Sequence, residues 1–105
     1  MKITAAITGI NGYVPDYILT NKELEKIVDT NDEWITTRTG IKERRILKDP
    51  TKGSSFMAIK AVEDLLKKRK IDPTEIDAVI FATITPDMNV AATAAYVASE
   101  IGATN

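Results

Sequence analysis

The residues best suited to chemistry lie in one short stretch of this chain, T-N-D-E-W-I-T-T-R-T-G, at positions 30–40. It contains the only tryptophan, Trp34, and an arginine four residues later, Arg38. Residues four apart share a face of a helix, so the indole and the guanidinium would lie side by side. A lone tryptophan usually packs in or against a core. An indole beside a cation can instead stack on an aromatic base whose phosphate the arginine binds.

Other catalytic groups are missing from the sequence. The chain has no cysteine and no histidine, which excludes disulfides, thiolate nucleophiles, ordinary zinc sites and the commonest general base within it. Asp32 and Glu33 are adjacent, do not face each other on a helix, and suit its first turn. The glycines fit neither a P-loop nor the dinucleotide-binding fingerprint. We therefore predict no catalytic residue and no metal ligand in the chain.

The composition is that of one globular domain or part of a larger one. The chain has 105 residues and a formal net charge of -1, which argues against nucleic acid or a membrane surface as a main partner. No run approaches the roughly 18 apolar residues of a membrane span, and the N-terminus lacks the apolar core of a signal peptide. The basic run 67–70 suits either a docking patch or a solvated helix end. We expect a cytoplasmic protein.

Capping signals predict where the stretch around Trp34 becomes helical. Thr20 and Glu23 have capping-box spacing, which predicts a helix that starts at residue 21. A second short helix is predicted to start near Asn31 or Asp32, whose side chains can accept from free N–H groups, and to stop at Gly40.

Two further helices and three strands complete the predicted elements. A long helix should begin with Ser54 or Ser55 as its cap and end at 71–73, and a last helix should span about 91–101. Residues 3–9 and 78–83 are apolar runs typical of buried strands, and 41–47 is a charged, edge-like strand. This order predicts an α/β fold with a mostly parallel sheet. The end at 102–105 falls where another strand is expected, so we predict that the chain folds poorly alone.

The stretch around Trp34 resembles the signature of a known family. N-D-E-W-I-T-T-R-T-G-I-K-E-R-R-I resembles the D-E-W-I-x-x-R-T-G-I-x-x-R signature of the β-ketoacyl-acyl carrier protein synthase III family, condensing enzymes of the thiolase superfamily. Four further motifs are similar to family segments. They are I-T-G-x-x-x-Y-V-P at 7–15, T-N-K-E-L-E at 20–25, S-S-F-M-A-x-x-A at 54–61, and I-D-x-x-x-I-D-A-V-I-F-A-T-x-T-P-D at 71–87. I-G-A-T-N at 101–105 is similar to the lead into the family's next strand.

The resemblance implies a fold and a reaction. Residues 1–105 would be the first part of the N-terminal αβαβα half of a thiolase-like domain, incomplete and inactive alone. Family members transfer an acyl group from coenzyme A to a cysteine and condense it with malonyl-acyl carrier protein, which initiates type II fatty acid synthesis. The family's Cys, His and Asn would lie beyond residue 105. A homodimer is expected, with acyl-coenzyme A as substrate and no tightly bound cofactor.

The resemblance also implies site residues. Trp34 would stack on the adenine of coenzyme A, Arg38 would lie by its phosphates, Thr30 would help hold the base, and Thr39 has a weaker claim. Many members have Phe-Pro-Ser-Thr where this chain has V-A-A-T from Val90, and that Phe reaches the acyl pocket of the partner subunit. The smaller valine suggests a roomier pocket. Two alternatives remain: a non-catalytic binding module, and another thiolase-like enzyme such as a hydroxymethylglutaryl or polyketide-type synthase.

Overall fold

The computed structural model describes residues 1–104 and divides into two compact units. One unit comprises Val14–Pro50, and the other comprises Met1–Tyr13 with the chain from Thr51 onward. The predicted lead into a further strand at 101–105 ends on Asn105, which lies outside the described residues. No helix within residues 1–104 is long and apolar enough to span a bilayer.

The unit formed by Val14–Pro50 contains a two-stranded antiparallel sheet. Strand β1 (Tyr17–Thr20) pairs with β2 (Glu43–Ile46), so that Tyr17 lies opposite Ile46. Helix α1 (Asn21–Leu24) follows β1 directly, and its predicted cap is confirmed because Thr20 Oγ1 accepts from the Glu23 N–H at 3.2 Å. The predicted edge strand at 41–47 is confirmed as β2.

Helix α2 (Asp32–Thr39) carries the Trp34 stretch, and both of its predicted ends are confirmed. Asn31 is the N-cap, and its Oδ1 accepts from the Trp34 N–H at 2.8 Å. Gly40 ends the helix at φ 72°, in the left-handed region that a side chain disfavours. Two local signals therefore fix the length of α2.

The other unit is built on two helices, α3 (Ser54–Arg69) and α4 (Thr93–Ile101), with a 3₁₀ turn at Pro73–Glu75 between them. These two helices pack on each other. The α4 side of their contact is the apolar core of the unit, where Val97 is 1% exposed and Ile101 is 8% exposed.

The predicted cap of α3 is wrong. Gly53 occupies the N-cap position, and neither serine caps the helix with its own side chain. The carboxylate of Asp87 does so instead, because its Oδ1 accepts from the Ser55 N–H at 2.9 Å. The hydroxyls of Ser54 and Ser55 also donate to Asp87. Both hydroxyls donate to this remote carboxylate, and neither caps the helix.

The mostly parallel sheet predicted from the sequence does not form within residues 1–104. Residues 3–9 and 78–83 make no strand pairing, and the sheet present is the antiparallel β1–β2 pair. Residues 3–9 are exposed, with Ile3 at 88%, whereas residues 78–83 alternate between exposed and half-buried, with Ile80 at 93%. A β-branched run favours extended backbone, but it becomes a strand only when another strand satisfies its N–H and C=O groups.

Candidate functional site

A surface cavity of about 600 Å³ lies beside α2 in the unit formed by Val14–Pro50. Part of its wall is apolar, from Leu24, Val28, Ile35 and Ile41. The polar part comes from Asp29, Thr30, Asn31, Thr39 and Arg44, and Trp34 completes the lining. An apolar concavity with a few polar groups is the usual form of a small-molecule site.

Trp34 is a surface residue at this cavity and not a core residue. Its side chain is 53% exposed, whereas its neighbour Ile35 is 6% exposed and anchors α2. The Arg38 guanidinium carbon lies 4.8 Å from the centre of the Trp34 ring, the geometry of a cation–π pair. The predicted shared face of these two residues is confirmed. Arg38 does not line the cavity itself, so the cation sits at its border.

The two threonines at the cavity differ in what their hydroxyls do. Thr30 Oγ1 is buried and has no hydrogen-bond partner in the structure. Thr39 Oγ1 donates to the Ile35 carbonyl at 2.7 Å and accepts from the Ile41 N–H at 3.1 Å. Leaving a buried hydroxyl unpaired costs free energy. The Thr30 hydroxyl therefore has unused hydrogen-bonding capacity, whereas the Thr39 hydroxyl already donates once and accepts once within the protein.

Arg44 and Asn21 belong to this region but were missed in the sequence. Arg44 Nη2 donates to Asn21 Oδ1 at 3.0 Å, and Arg44 Nη1 is buried without a partner. The alternation of E-R-R-I along β2 could have indicated that Arg44 points inward, since every second strand residue shares a face. Nothing in the sequence around Asn21 indicates these hydrogen bonds, because asparagine is common in the first turn of a helix.

Val90 lies in the other unit, at a shallow cleft of about 340 Å³ whose lining includes Phe81, Thr83 and Met88. Its side chain is fully exposed. The segment before it is tied to α3 by Asp87. The hydrogen bond from the Ser55 hydroxyl has the largest effect on the pKa of Asp87 and, together with the bond from the Ser55 N–H, holds it below its ordinary value. The structure thus brings together Thr30, Trp34, Arg38 and Thr39, and it describes Val90 in a separate unit.

Curated proteins of one name match almost the whole chain. The chain is 56% identical over 104 residues to beta-ketoacyl-(acyl-carrier-protein) synthase III 2 of Bacteroides thetaiotaomicron, covering 99% of this chain and 31% of that protein. It is 54% identical to beta-ketoacyl-(acyl-carrier-protein) synthase III of Phocaeicola vulgatus, with the same coverage. The chain thus spans about a third of the length of these relatives. No protein-family model matches it.

Solved structures agree with these relatives. The 3-oxoacyl-(acyl-carrier-protein) synthase III of Aquifex aeolicus has a TM-score of 0.85 and 46% identity, covering 92% of this chain and 31% of that one. The priming beta-ketosynthase of the R1128 polyketide pathway also has a TM-score of 0.85. It is 36% identical to this chain and covers 92% of this chain and 29% of its own. The fold is α/β and thiolase-like, as predicted. In sequence and in fold, the chain belongs to the β-ketoacyl-acyl carrier protein synthase III family.

Proposed function

We propose that the chain is the N-terminal part of a β-ketoacyl-acyl carrier protein synthase III. The full-length enzyme condenses an acyl-coenzyme A primer with malonyl-acyl carrier protein and so initiates type II fatty acid synthesis. The observation that carries the proposal is the half-exposed Trp34 ring, paired with Arg38, at the border of a cavity. The names of the relatives at 54–56% identity support the same reaction.

The residues of α2 would bind coenzyme A and not carry out the chemistry. The exposed face of Trp34 stacks on the adenine, because an aromatic base and an indole both offer flat apolar faces. Arg38 binds phosphate by charge-assisted hydrogen bonds. The unpartnered Thr30 hydroxyl bonds the base, whereas Thr39 has less to offer because its hydroxyl is occupied. Coenzyme A arrives as the carrier of the substrate, and no tightly bound cofactor is needed.

The described chain alone would have no synthase activity. It contains neither cysteine nor histidine, so an acyl group has no thiolate to attack and malonyl decarboxylation has no imidazole to assist it. The nucleophile would belong to the remaining part of the enzyme. We further propose that the full-length enzyme is a cytoplasmic homodimer, as the family resemblance implies.

The binding role is tested by calorimetric titration of the full-length enzyme with coenzyme A. Trp34→Ala should raise Kd by about 5- to 150-fold, since stacking one base on an aromatic side chain contributes roughly 1–3 kcal/mol. Arg38→Ala should also weaken binding, and more so at low ionic strength.

The matched control is a second cation–π pair in the same unit. Lys48 Nζ lies 3.5 Å from the centre of the Tyr17 ring, and neither residue lines the cavity. Tyr17→Ala should therefore leave Kd for coenzyme A unchanged. Equal Kd values for the wild-type enzyme and Trp34→Ala would disprove the proposed site.

Val90 would shape the acyl pocket of the partner subunit. Because valine replaces the larger phenylalanine found in many members, we expect the enzyme to accept longer or branched primers. Val90→Phe should then lower kcat/KM for a branched or longer acyl-coenzyme A while leaving the value for acetyl-coenzyme A nearly unchanged. Strict acetyl preference in the wild-type enzyme, unaltered by Val90→Phe, would contradict this role.

Another thiolase-like condensation is the main alternative. The polyketide priming ketosynthase shares the fold but is 36% identical, against 54–56% for the curated synthase III relatives. The higher identity favours the fatty acid reaction. A non-catalytic module is not favoured, because every relative named above is a synthase.

A further inference from the structure

Asn21 is the most connected polar side chain beside α2. It is 2% exposed. Its Nδ2 donates to Asp32 Oδ1 at 2.7 Å and to the Ile41 carbonyl at 2.8 Å, and its Oδ1 accepts from Arg44 Nη2 at 3.0 Å. A longer contact of 3.4 Å reaches Thr36 Oγ1. Both donors and the acceptor of the amide are thus in use, which is what a buried amide requires.

These bonds hold α2 at both ends. Asp32 is the first residue of the helix, and Ile41 follows Gly40, which ends it. Arg44 ties the same amide to β2, and the Asn21 N–H donates to the Lys42 carbonyl at 3.2 Å. One side chain therefore fixes the start of α2, the turn after it and the neighbouring strand relative to one another.

Apolar packing gives α2 little other support. Ile35 is its one buried residue. A single buried side chain leaves a short helix free to rotate about that contact, whereas directional hydrogen bonds at both ends do not. The amide of Asn21 therefore sets the rotation of the helix.

The ligand-binding face of α2 depends on that rotation. The side chains of Trp34 and Arg38 are exposed and lie against each other, so they follow the backbone of the helix that carries them. We infer that Asn21 is a positioning residue: it holds α2 so that the Trp34 ring faces the cavity. This inference rests on the proposed coenzyme A site.

Two variants of the full-length enzyme test the inference, with coenzyme A as the probe. Asn21→Ala should raise the calorimetric Kd by about 10-fold, a loss within the range expected when the stacking contact of Trp34 is weakened. The kcat at saturating acyl-coenzyme A should change by less than about twofold, because Asn21 touches no reacting atom. Asn21→Asp replaces both donors with a carboxylate facing Asp32 and should raise Kd at least as much.

A charge swap provides the rescue. In Asn21→Asp with Asp32→Asn, the new amide at 32 can donate to the new carboxylate at 21, so part of the lost affinity should return. Tm measured on the same variants distinguishes a change in Kd from a loss of folded protein. If Asn21→Ala does not fold, Asp32→Ala carries the same test. It removes the bond from Asn21 and the longer bond of 3.3 Å from Thr36 but leaves the other bonds of Asn21, and we expect a smaller rise in Kd of about threefold.

Asn11 supplies the matched control. Its Nδ2 also bridges to a helix, donating to the Ala61 carbonyl at 2.9 Å and to Asp64 at 2.8 Å, but in the other unit. Asn11→Ala should lower thermal stability and leave Kd unchanged. An equal rise in Kd for Asn11→Ala and Asn21→Ala would overturn the inference, as would no rise for Asn21→Ala while Trp34→Ala weakens binding. If Trp34→Ala has no effect, the proposed binding site itself fails.

Discussion

Removing the carboxylate of Asp87 should loosen the first turn of α3. Its Oδ1 accepts from the Ser55 N–H at 2.9 Å and from the Ser54 hydroxyl at 3.0 Å, and its Oδ2 accepts from the Ser55 hydroxyl. One side chain thus performs the N-cap role from a distant loop. In Asp87→Ala, the Ser55 N–H and the Ser55 hydroxyl must bond to water instead, whereas the Ser54 hydroxyl can still donate to the Thr85 carbonyl at 2.9 Å.

The expected loss of stability is modest. Replacing a capping side chain by alanine costs about 0.5–2 kcal/mol, and hydrogen bonds to a charged group are worth roughly 1.5–3 kcal/mol. Asp87 is exposed, so water partly replaces its bonds and the lower values apply. We expect a loss of about 1–2 kcal/mol, which corresponds to roughly 2–8 °C in Tm for a protein of about 150–250 residues and somewhat less for a longer one.

The pH dependence of stability tests whether the negative charge of Asp87 is needed for the cap. Hydrogen bonds from Ser55 and Ser54 lower the pKa of Asp87 in the folded state from 3.8. The unfolded chain then binds the proton more readily, so the stabilisation is complete above that value and disappears as the pH falls through the lower folded pKa. The Tm difference between the wild-type enzyme and Asp87→Asn should be constant above about pH 5 and shrink at more acidic pH.

The assay combines thermal unfolding with hydrogen exchange of the amides at the start of α3. Gly53 offers an independent perturbation, because a Cβ there would lie 2.6 Å from Asp87 Oδ1 and displace the carboxylate. Gly53→Ala should therefore destabilise the wild-type enzyme and cost much less in an Asp87→Ala background. Equal costs in the two backgrounds, or unchanged exchange at Ser55 in Asp87→Ala, would refute this account of the cap.

Three smaller predictions concern helix ends, each measured by the Tm of the full-length enzyme and by amide exchange of the affected turn. Asn31→Ala should cost about 1 kcal/mol, because the Trp34 N–H loses its partner. Gly40→Ala should cost about 1–2 kcal/mol at φ 72°. Gly12→Ala is its control, with no atom within 4 Å of the new Cβ, and should be nearly neutral. Lys70→Gly should stabilise by up to about 1 kcal/mol, because Lys70 ends α3 at φ 55°. A loss of stability there would contradict it.

The sequence predicted α2 well because its determinants are local. Asn31 and Gly40 lie within one residue of the helix ends that they set, and the spacing of Trp34 and Arg38 is enough to place them on one face. The capping residue of α3 could not be found in this way. Asp87 is 32 positions from Ser55, and nothing in the serine-containing segment indicates that a remote carboxylate will accept from it.

The predicted strands also depend on residues that are distant in sequence. The apolar runs 3–9 and 78–83 have the composition of buried strands. Composition indicates a preference for extended backbone, but it does not identify the strand that would pair with it. Strand β2 was predicted correctly although it is charged, and its pairing with β1 was not foreseen. At the candidate site, the family resemblance implied Thr30, Trp34, Arg38 and Thr39. The contacts of Asn21 and Arg44 depend on hydrogen bonds between segments that are far apart in sequence.

The division of the chain into an inner segment and an outer pair of segments affects the order of folding. Asn11 forms a hydrogen bond with Ala61, 50 positions away. Closing so long a loop carries a large entropic cost. The pairing of Tyr17 with Ile46 draws the ends of the intervening segment together. If that strand pair forms first, the effective loop that separates Asn11 from Ala61 becomes much shorter. The segment Val14–Pro50 would then act as the folding nucleus for the unit into which it is inserted, whose helices α3 and α4 both follow it in the chain. Variants that weaken β1–β2 pairing should slow folding more than they speed unfolding.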